Sequence, residues 1–478
     1  MTLQCERLDS RRSFLQRAAQ GFGMLAVFDL LLRDAVADTV TSQRADLHGG
    51  LHHPAKVKRV IQLFMNGGVS QMDTFDYKPE LERRHGESID FGLKAAVTSP
   101  LGTIMKSPFA FRQYGESGRW VSDVFPQLAQ HVDELAFLMA MRSKSNVHGP
   151  ASYLQNTGNV NPGFPSLGSW LSYGLGSLTD NLPTFVVLPD HRGLPYNNTG
   201  NFSAGFLPAA HYATVIRPNN AIPVPFLRPP ANATHITGES ECEGQRLLRE
   251  LNANHLMNHP DDSRLEARIQ SFELAARMQT SAPEALDLSH ESPATLSQYG
   301  IDNPNTEPFG KNCLIARRLI ERGVRFVQVW SGMGGPKNNW DNHSDIPQEL
   351  PFIASMVDQP IAALLRDTRE RGLLDDTLIV WTTEFGRMPF TQGATGRDHN
   401  GGTFVSWLAG AGVRGGTAFG QSDEFAYQTA IDETTGYDLH ATILHLMGID
   451  HTQLTFSHNG LDRRLTDVHG KVIQQILA

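Results

Sequence analysis

The sequence predicts an α/β fold built on a mainly parallel central sheet. Three observations predict it. Short apolar runs recur along the chain and are near-continuous rather than alternating, as in strands buried on both faces. Helical patterns lie between the runs. Polar residues gather just after the runs end, where open parallel sheets bind ligands.

The chain has 478 residues, enough for one large α/β domain with insertions or for two domains. It is 40% hydrophobic and 19% charged, as in ordinary globular proteins, with a net charge of −9. A mild acidic excess without a basic cluster argues against a nucleic-acid partner.

The first 37 residues read as a twin-arginine export signal. Arg11 and Arg12 precede Ser13, Phe14 and Leu15, an apolar stretch follows, and Ala35 and Ala37 stand at cleavage spacing. That stretch contains Asp29 and is too short for a membrane span. The expected mature protein, residues 38–478, works in the periplasm or outside the cell. Cys5 leaves with the signal. Cys242 and Cys313 remain, and an oxidising compartment allows one disulfide.

The strands are expected in "VKRVIQLFMNGG", "ELAFLMAMRS", "LPTFVVLPD", "VRFVQVWSG", "TLIVWTTEF" and "GGTFVSWLAG". "NCLIARRLIERG" reads as a helix ending at Gly323. "PFIASMVDQPIAALLRDTRERGLL" reads as a long helix with Pro360 near a kink or break. "DLHATILHLMGID" reads as a helix with Asp438 as N-cap and Gly448 as C-terminal stop. Residues 192–305 begin rich in Pro, Asn and Gly, then carry two helices broken around His259–Asp262. This block is expected as an insertion on the main sheet.

Chemistry is expected at the strand exits. His148 follows the second run, Asp341 and His343 follow the fourth, and Glu384, Arg387, Asp398 and His399 follow the fifth. Carboxylate oxygen with imidazole nitrogen suits zinc, manganese or iron. The metal ligands are therefore expected to be Asp341, His343, Asp398 and His399. Arg387 either grips an anion bidentately or locks Glu384 in an ion pair. His148 is a base, nucleophile, ligand or structural histidine. His440 could face the site from a helix start, while His445 reads as packing. Trp340, Trp381 and Trp407 read as core, with Trp340 also placed to stack on a sugar.

"FMNGGVSQMDTFDYKPEL", "WDNHSD", "TEFGRMPF", "GRDHNGGTFVSWLAGAGVRGG" and "DLHATILHLMGID" resemble the bacterial exported family catalogued as domain of unknown function 1501. That family is sulfatase-like and falls in the alkaline phosphatase superfamily. The resemblance covers essentially the whole mature chain and implies a three-layer α/β sandwich, with residues 38–478 as one sulfatase-like domain. It sets Asn66 where the superfamily carries a metal-binding Asp. "HGPASYLQNTG" is similar to the nucleophile segment and puts His148 at the nucleophile position. Glu384 and Phe385 replace the usual Asp-His pair, and Asp398-His399 resembles the late metal or anion-binding histidine.

The expectation is an exported, metal-dependent hydrolase of a sulfate or phosphate ester, with a sulfated polysaccharide or anionic small molecule as partner. His148, Glu384 and Arg387 are its catalytic candidates. The cofactor is a divalent metal: zinc, manganese or calcium. The competing expectation is a catalytically degenerate protein that keeps the fold to bind an anionic glycan or a protein.

Overall fold

Strand β1, Arg59–Met65, is buried along nearly its whole length and forms the middle of the molecule. The structure is a computed structural model that describes residues 50–89, 102–224, 237–259, 263–337 and 339–478. The twin-arginine segment lies outside these residues.

A small hairpin of β2 (Phe111–Tyr114) and β3 (Arg119–Ser122) precedes β4 (Leu135–Arg142). Helices α1 (His148–Thr157) and α2 (Leu167–Leu175) follow, then β5 (Phe185–Leu188) and β6 (Thr214–Val215). Helices α3 (Gly238–Met257), α4 (Ser263–Leu286) and α5 (Glu307–Glu321) lead to β7 (Phe326–Ser331). Then come α6 (Ile346–Ser355), α7 (Asp358–Glu370), β8 (Thr377–Thr382), and the paired short strands β9 (Gly386–Arg387) and β10 (His399–Asn400). The chain ends through β11 (Phe404–Gly410), β12 (Ala418–Phe419) and α8 (Gly436–Leu446).

The nine-stranded sheet has the order β12-β4-β11-β8-β1-β7-β5-β6, with Thr434–Thr435 also paired to β4. Strand β11 runs antiparallel to both β4 and β8, and the other pairs are parallel. The exits of β4, β1, β7 and β8 therefore share one rim. This is the mixed, mainly parallel α/β sheet that the sequence predicts. The six quoted runs all contain strands.

Alternation along each strand divides the interior into two cores. Ile61, Leu63, Val327, Val329, Ile379 and Trp381 face α5 and α7 on one side. Val60, Phe64, Phe326, Trp330, Leu378 and Val380 face α2 and α8 on the other. Each fully buried side chain of this kind contributes about 1.5–3 kcal/mol.

Helix α1 lies on the second face and meets a polar stripe. Gln328 Nε2 donates to Gln62 Oε1 at 3.1 Å and to Asn156 Oδ1 at 2.7 Å. Gln155 Nε2 donates to Thr382 Oγ1 at 2.9 Å, and Thr382 in turn meets Ser406 at 2.7 Å. Residue pairing of this directional kind sets the height and rotation of α1, where apolar contact would tolerate sliding.

One local expectation is corrected and one is sharpened. The long helix expected with a kink or break near Pro360 is two helices, α6 and α7. The break falls at Met356–Val357, ahead of Pro360, which sits in the first turn of α7 where its missing N–H costs nothing. The N-cap of α8 is Thr435, with Asp438 as the reciprocal partner of its capping box. Cys313 is a free, fully buried thiol. Among the described residues no helix is long and apolar enough to cross a membrane.

Candidate metal centre

Four side chains from three segments meet at the shared rim. His148 begins α1, Asp341 and His343 lie on the loop after β7, and His399 opens β10. One ligand atom from each lies within 4.8 Å of all the others. His343 Nε2 is 2.8 Å and His399 Nε2 is 3.0 Å from Asp341 Oδ1. His148 Nε2 is 3.2 Å from Asp341 Oδ2.

The backbone brings the loops this close because glycines leave room. Gly67 has φ +128, and a Cβ there would stand 2.6 Å from the Asp341 backbone nitrogen. A Cβ on Gly396 would stand 1.6 Å from the His343 carbonyl oxygen. Both contacts are with backbone, so neither has a cheap relief.

Each histidine is oriented through its other nitrogen. His148 Nδ1 lies 2.8 Å from Glu384 Oε1, and His399 Nδ1 lies 2.9 Å from the Asn146 carbonyl. His343 Nδ1 meets Gln392 Oε1. In all three the Nδ1–H donates to an oxygen. That tautomer leaves three Nε2 lone pairs converging on one point, as carboxylate- or carbonyl-backed metal ligands do. His148 Nε2 is buried and faces Asp341 Oδ2. The donor set fits a divalent metal.

Asp341 is the hub. Burial alone would push its carboxyl up, but Arg387 and the three imidazoles override that and hold it well below the usual carboxylate range. Burial pushes His148 down, yet its bonds to Asp341 and Glu384 outweigh this and leave it raised. Burial pushes His399 down to about 4. Tyr196 stacks on His148 with ring centroids 4.2 Å apart and an interplanar angle of 7°. Its hydroxyl lies 3.5 Å from Asp341 Oδ2, donates to the Gly335 carbonyl at 2.8 Å, and is pushed up to about 12 by burial and the neighbouring carboxylates.

The other expected residues are placed as follows. Glu384 is fully buried behind His148; it accepts from Gly67 N at 2.8 Å and from Thr383 Oγ1 at 3.1 Å and does not join the ligand group. Asp398 also stands outside the group, with Oδ1 accepting from His399 N at 2.8 Å. Arg387 is fully buried. It donates to the carbonyls of Gly68, Gly67, Trp340 and Arg397 and to Asp341 Oδ1 at 2.6 Å. Its carboxylate partner is thus Asp341 rather than Glu384, and its donors are occupied by the protein instead of being offered to an anion. His440 bonds the Gln155 carbonyl at 3.0 Å, away from the cluster. Trp340 is buried core. Asn66 is buried, with Nδ2 donating to the carbonyls of Gly332 and Met333.

The family described as protein of unknown function (DUF1501) matches residues 57–477. The chain belongs to that family. No match is found among curated proteins. Among solved structures, the lipoteichoic acid synthase LtaP of Listeria monocytogenes is similar at 9% identity and TM-score 0.37, over 83% of this chain and 74% of that one. The PsFucS1 sulfatase of Pseudoalteromonas sp. is similar at 11% identity and TM-score 0.33, over 95% and 78%. The alkaline phosphatase of the Antarctic bacterium TAB5 is similar at 11% identity and TM-score 0.34, over 83% and 99%. These matches concern the scaffold, and no residue role is taken from them.

Proposed function

We propose that this DUF1501 protein is an exported, metal-dependent hydrolase of a sulfate or phosphate ester. The observation that carries the reading is the convergence of three Nε2 atoms and one carboxylate, each imidazole fixed from behind. His148, Asp341, His343 and His399 would hold one metal ion. A donor set this rich in imidazole favours zinc, manganese or iron over calcium, which takes oxygen ligands. When bound, such an ion polarises an ester oxygen and lowers the pKa of water.

The chain's own residues do the rest. Arg387 keeps Asp341 ionised from within the protein. Tyr196 stays protonated at neutral pH, and its ring backs His148 while its hydroxyl donates to the Gly335 carbonyl. His148 stands where the motif resemblance puts the nucleophile, but its Nδ1 is committed to Glu384. Direct attack by water is therefore the reaction that fits. The sulfate or phosphate ester rests on that resemblance, and export rests on Arg11, Arg12 and the segment after them. A sulfated polysaccharide fits as substrate.

The test is elemental analysis of full-length protein together with assays on aryl sulfate, aryl phosphate and sulfated oligosaccharides. One metal per chain and turnover lost in His343→Ala are expected. Absence of stoichiometric metal, or equal turnover in that variant, overturns the reading. The commitment of His148 to Glu384 and to the ligand group, which leaves no ordinary nucleophile at that position, favours a second reading, a binding protein for anionic glycans, and glycan binding without turnover would select it. Loss of export on replacing Arg11 and Arg12 by lysine tests the signal.

A further inference from the structure

A second feature lies on the sheet face opposite α1. Between the β2–β3 hairpin, the chain after Asp73 and the outer part of β4 is a cavity of about 110 Å³. Phe75, Phe137 and Met139 line it with apolar surface, and Tyr77, Trp120, Arg119 and Asp76 complete it. Phe137 and Met139 belong to the core on the α5 and α7 side, which separates the cavity from the helix that carries His148.

Two groups in this cavity lack an internal purpose. Trp120 is 40% exposed although it is a large aromatic. It leans against Tyr77, with ring centroids 4.6 Å apart, and Tyr77 is itself backed by Phe111 at 5.1 Å. This holds the indole as a rigid wall. Arg119 carries a buried Nε–H with no hydrogen-bond partner among the described residues. An unmatched buried donor on a charged group costs free energy, about 1–3 kcal/mol or more, unless an acceptor visits. The neighbouring acid does not supply one. Asp76 is engaged by Lys78 Nζ at 3.0 Å and by Ser422 Oγ. Lys78 offsets its charge.

We propose that this cavity is a subsite for one acidic sugar unit, a uronate or a sugar sulfate. The sugar's C–H face packs on Trp120, since the negative face of an aromatic ring attracts polarised C–H groups. Its carboxylate or sulfate accepts from Arg119, whose planar fork matches such oxyanions. Apolar walls with a few directed polar groups are the general pattern of small-molecule sites. The cavity is smaller than the roughly 150 Å³ that holds one benzene, so only the acidic group enters it and the ring lies at its mouth against Trp120. The subsite is independent of the metal cluster and does not require that the protein be a hydrolase.

The experiment titrates full-length protein with a glucuronate disaccharide, a sulfated galactose disaccharide, their neutral counterparts and inorganic sulfate. Tryptophan fluorescence and calorimetry are the readouts. Both acidic disaccharides are expected to bind at least tenfold more tightly than the neutral ones and than sulfate. Arg119→Gln should abolish the preference for acid, Trp120→Ala should remove sugar binding, and Trp120→Phe should restore it. His343→Ala should leave binding unchanged. Equal affinity for acidic and neutral sugars overturns the proposal. So does sulfate binding as tightly as the sugar sulfate, or binding lost in His343→Ala but kept in Trp120→Ala.

Discussion

The Nε2 atoms of His343 and His399 lie 2.7 Å apart. With both Nδ1 atoms already donating, to Gln392 and to the Asn146 carbonyl, two neutral rings would set lone pair against lone pair. A cation between them removes the repulsion. A proton can serve, and a metal ion shared with His148 and Asp341 serves better because it engages every donor at once. The apparent conflict between two histidines is what a bound cation would resolve.

Glu384 tests how far the cluster depends on its backing. Glu384→Gln keeps an oxygen for one bond but loses the charge behind His148. Removing such partners weakens metal binding by about 10–100-fold. The expected result is a drop of that size in chelator competition, with an unchanged far-ultraviolet circular dichroism spectrum. An unchanged affinity would show that Glu384 only fills space.

Gly396 tests the backbone that carries the ligands. Gly396→Ala adds a methyl against the His343 carbonyl and must push the two loops apart. Metal affinity should fall at least tenfold although no ligand is altered. Gly393→Ala is the comparison: that residue has φ +62, but nothing lies within 4 Å of its Cβ position. It should cost about 1 kcal/mol of stability, from backbone strain alone, and leave metal binding intact.

Much of the scaffold is readable because its strands are near-continuously apolar and their ends are polar. His148, Asp341, His343 and His399 could be nominated on that ground. Adjacency to His399 nominates Asp398, yet its Oδ1 accepts from the His399 N–H and only the histidine joins the cluster. Tyr196 was hidden in a loop whose Pro, Asn and Gly content signals turns, not chemistry. Gln392 and the Asn146 carbonyl carry no sequence signature at all. The burial of Arg387 depends on carbonyls from Gly67, Gly68 and Trp340, which pattern reading cannot bring together.

Arg397 and Asp73 form a fully buried pair that ties the loop after β1 to the one before β10. Arg397 Nε lies 2.6 Å from Asp73 Oδ2 and Nη2 lies 3.1 Å from Oδ1, with further donation to the carbonyls of Met388 and Met105. Removing one partner strands a buried charge, at about 3–5 kcal/mol. Arg397→Met should lower the urea midpoint accordingly. The double variant with Asp73→Leu should recover part of the loss, whereas simple additivity would argue that the two residues act separately.

His440 and His211 set the acid limit of the fold. Burial pushes both down to about 4. His440 donates Nε2–H to the Gln155 carbonyl of α1, and its Nδ1 has no partner among the described residues, so a second proton there meets no acceptor. The folded pKa values are depressed below the unfolded value near 6.5. The stability they confer is therefore complete above about pH 6.5 and is lost as pH falls toward 4. Each contributes up to about 1.4 kcal/mol per pH unit within that window. Thermal unfolding should show the melting temperature falling between pH 6.5 and 4, and His440→Gln, which can still donate to Gln155, should flatten the slope. An unaltered slope in that variant would mean that His440 is not buried in its neutral form.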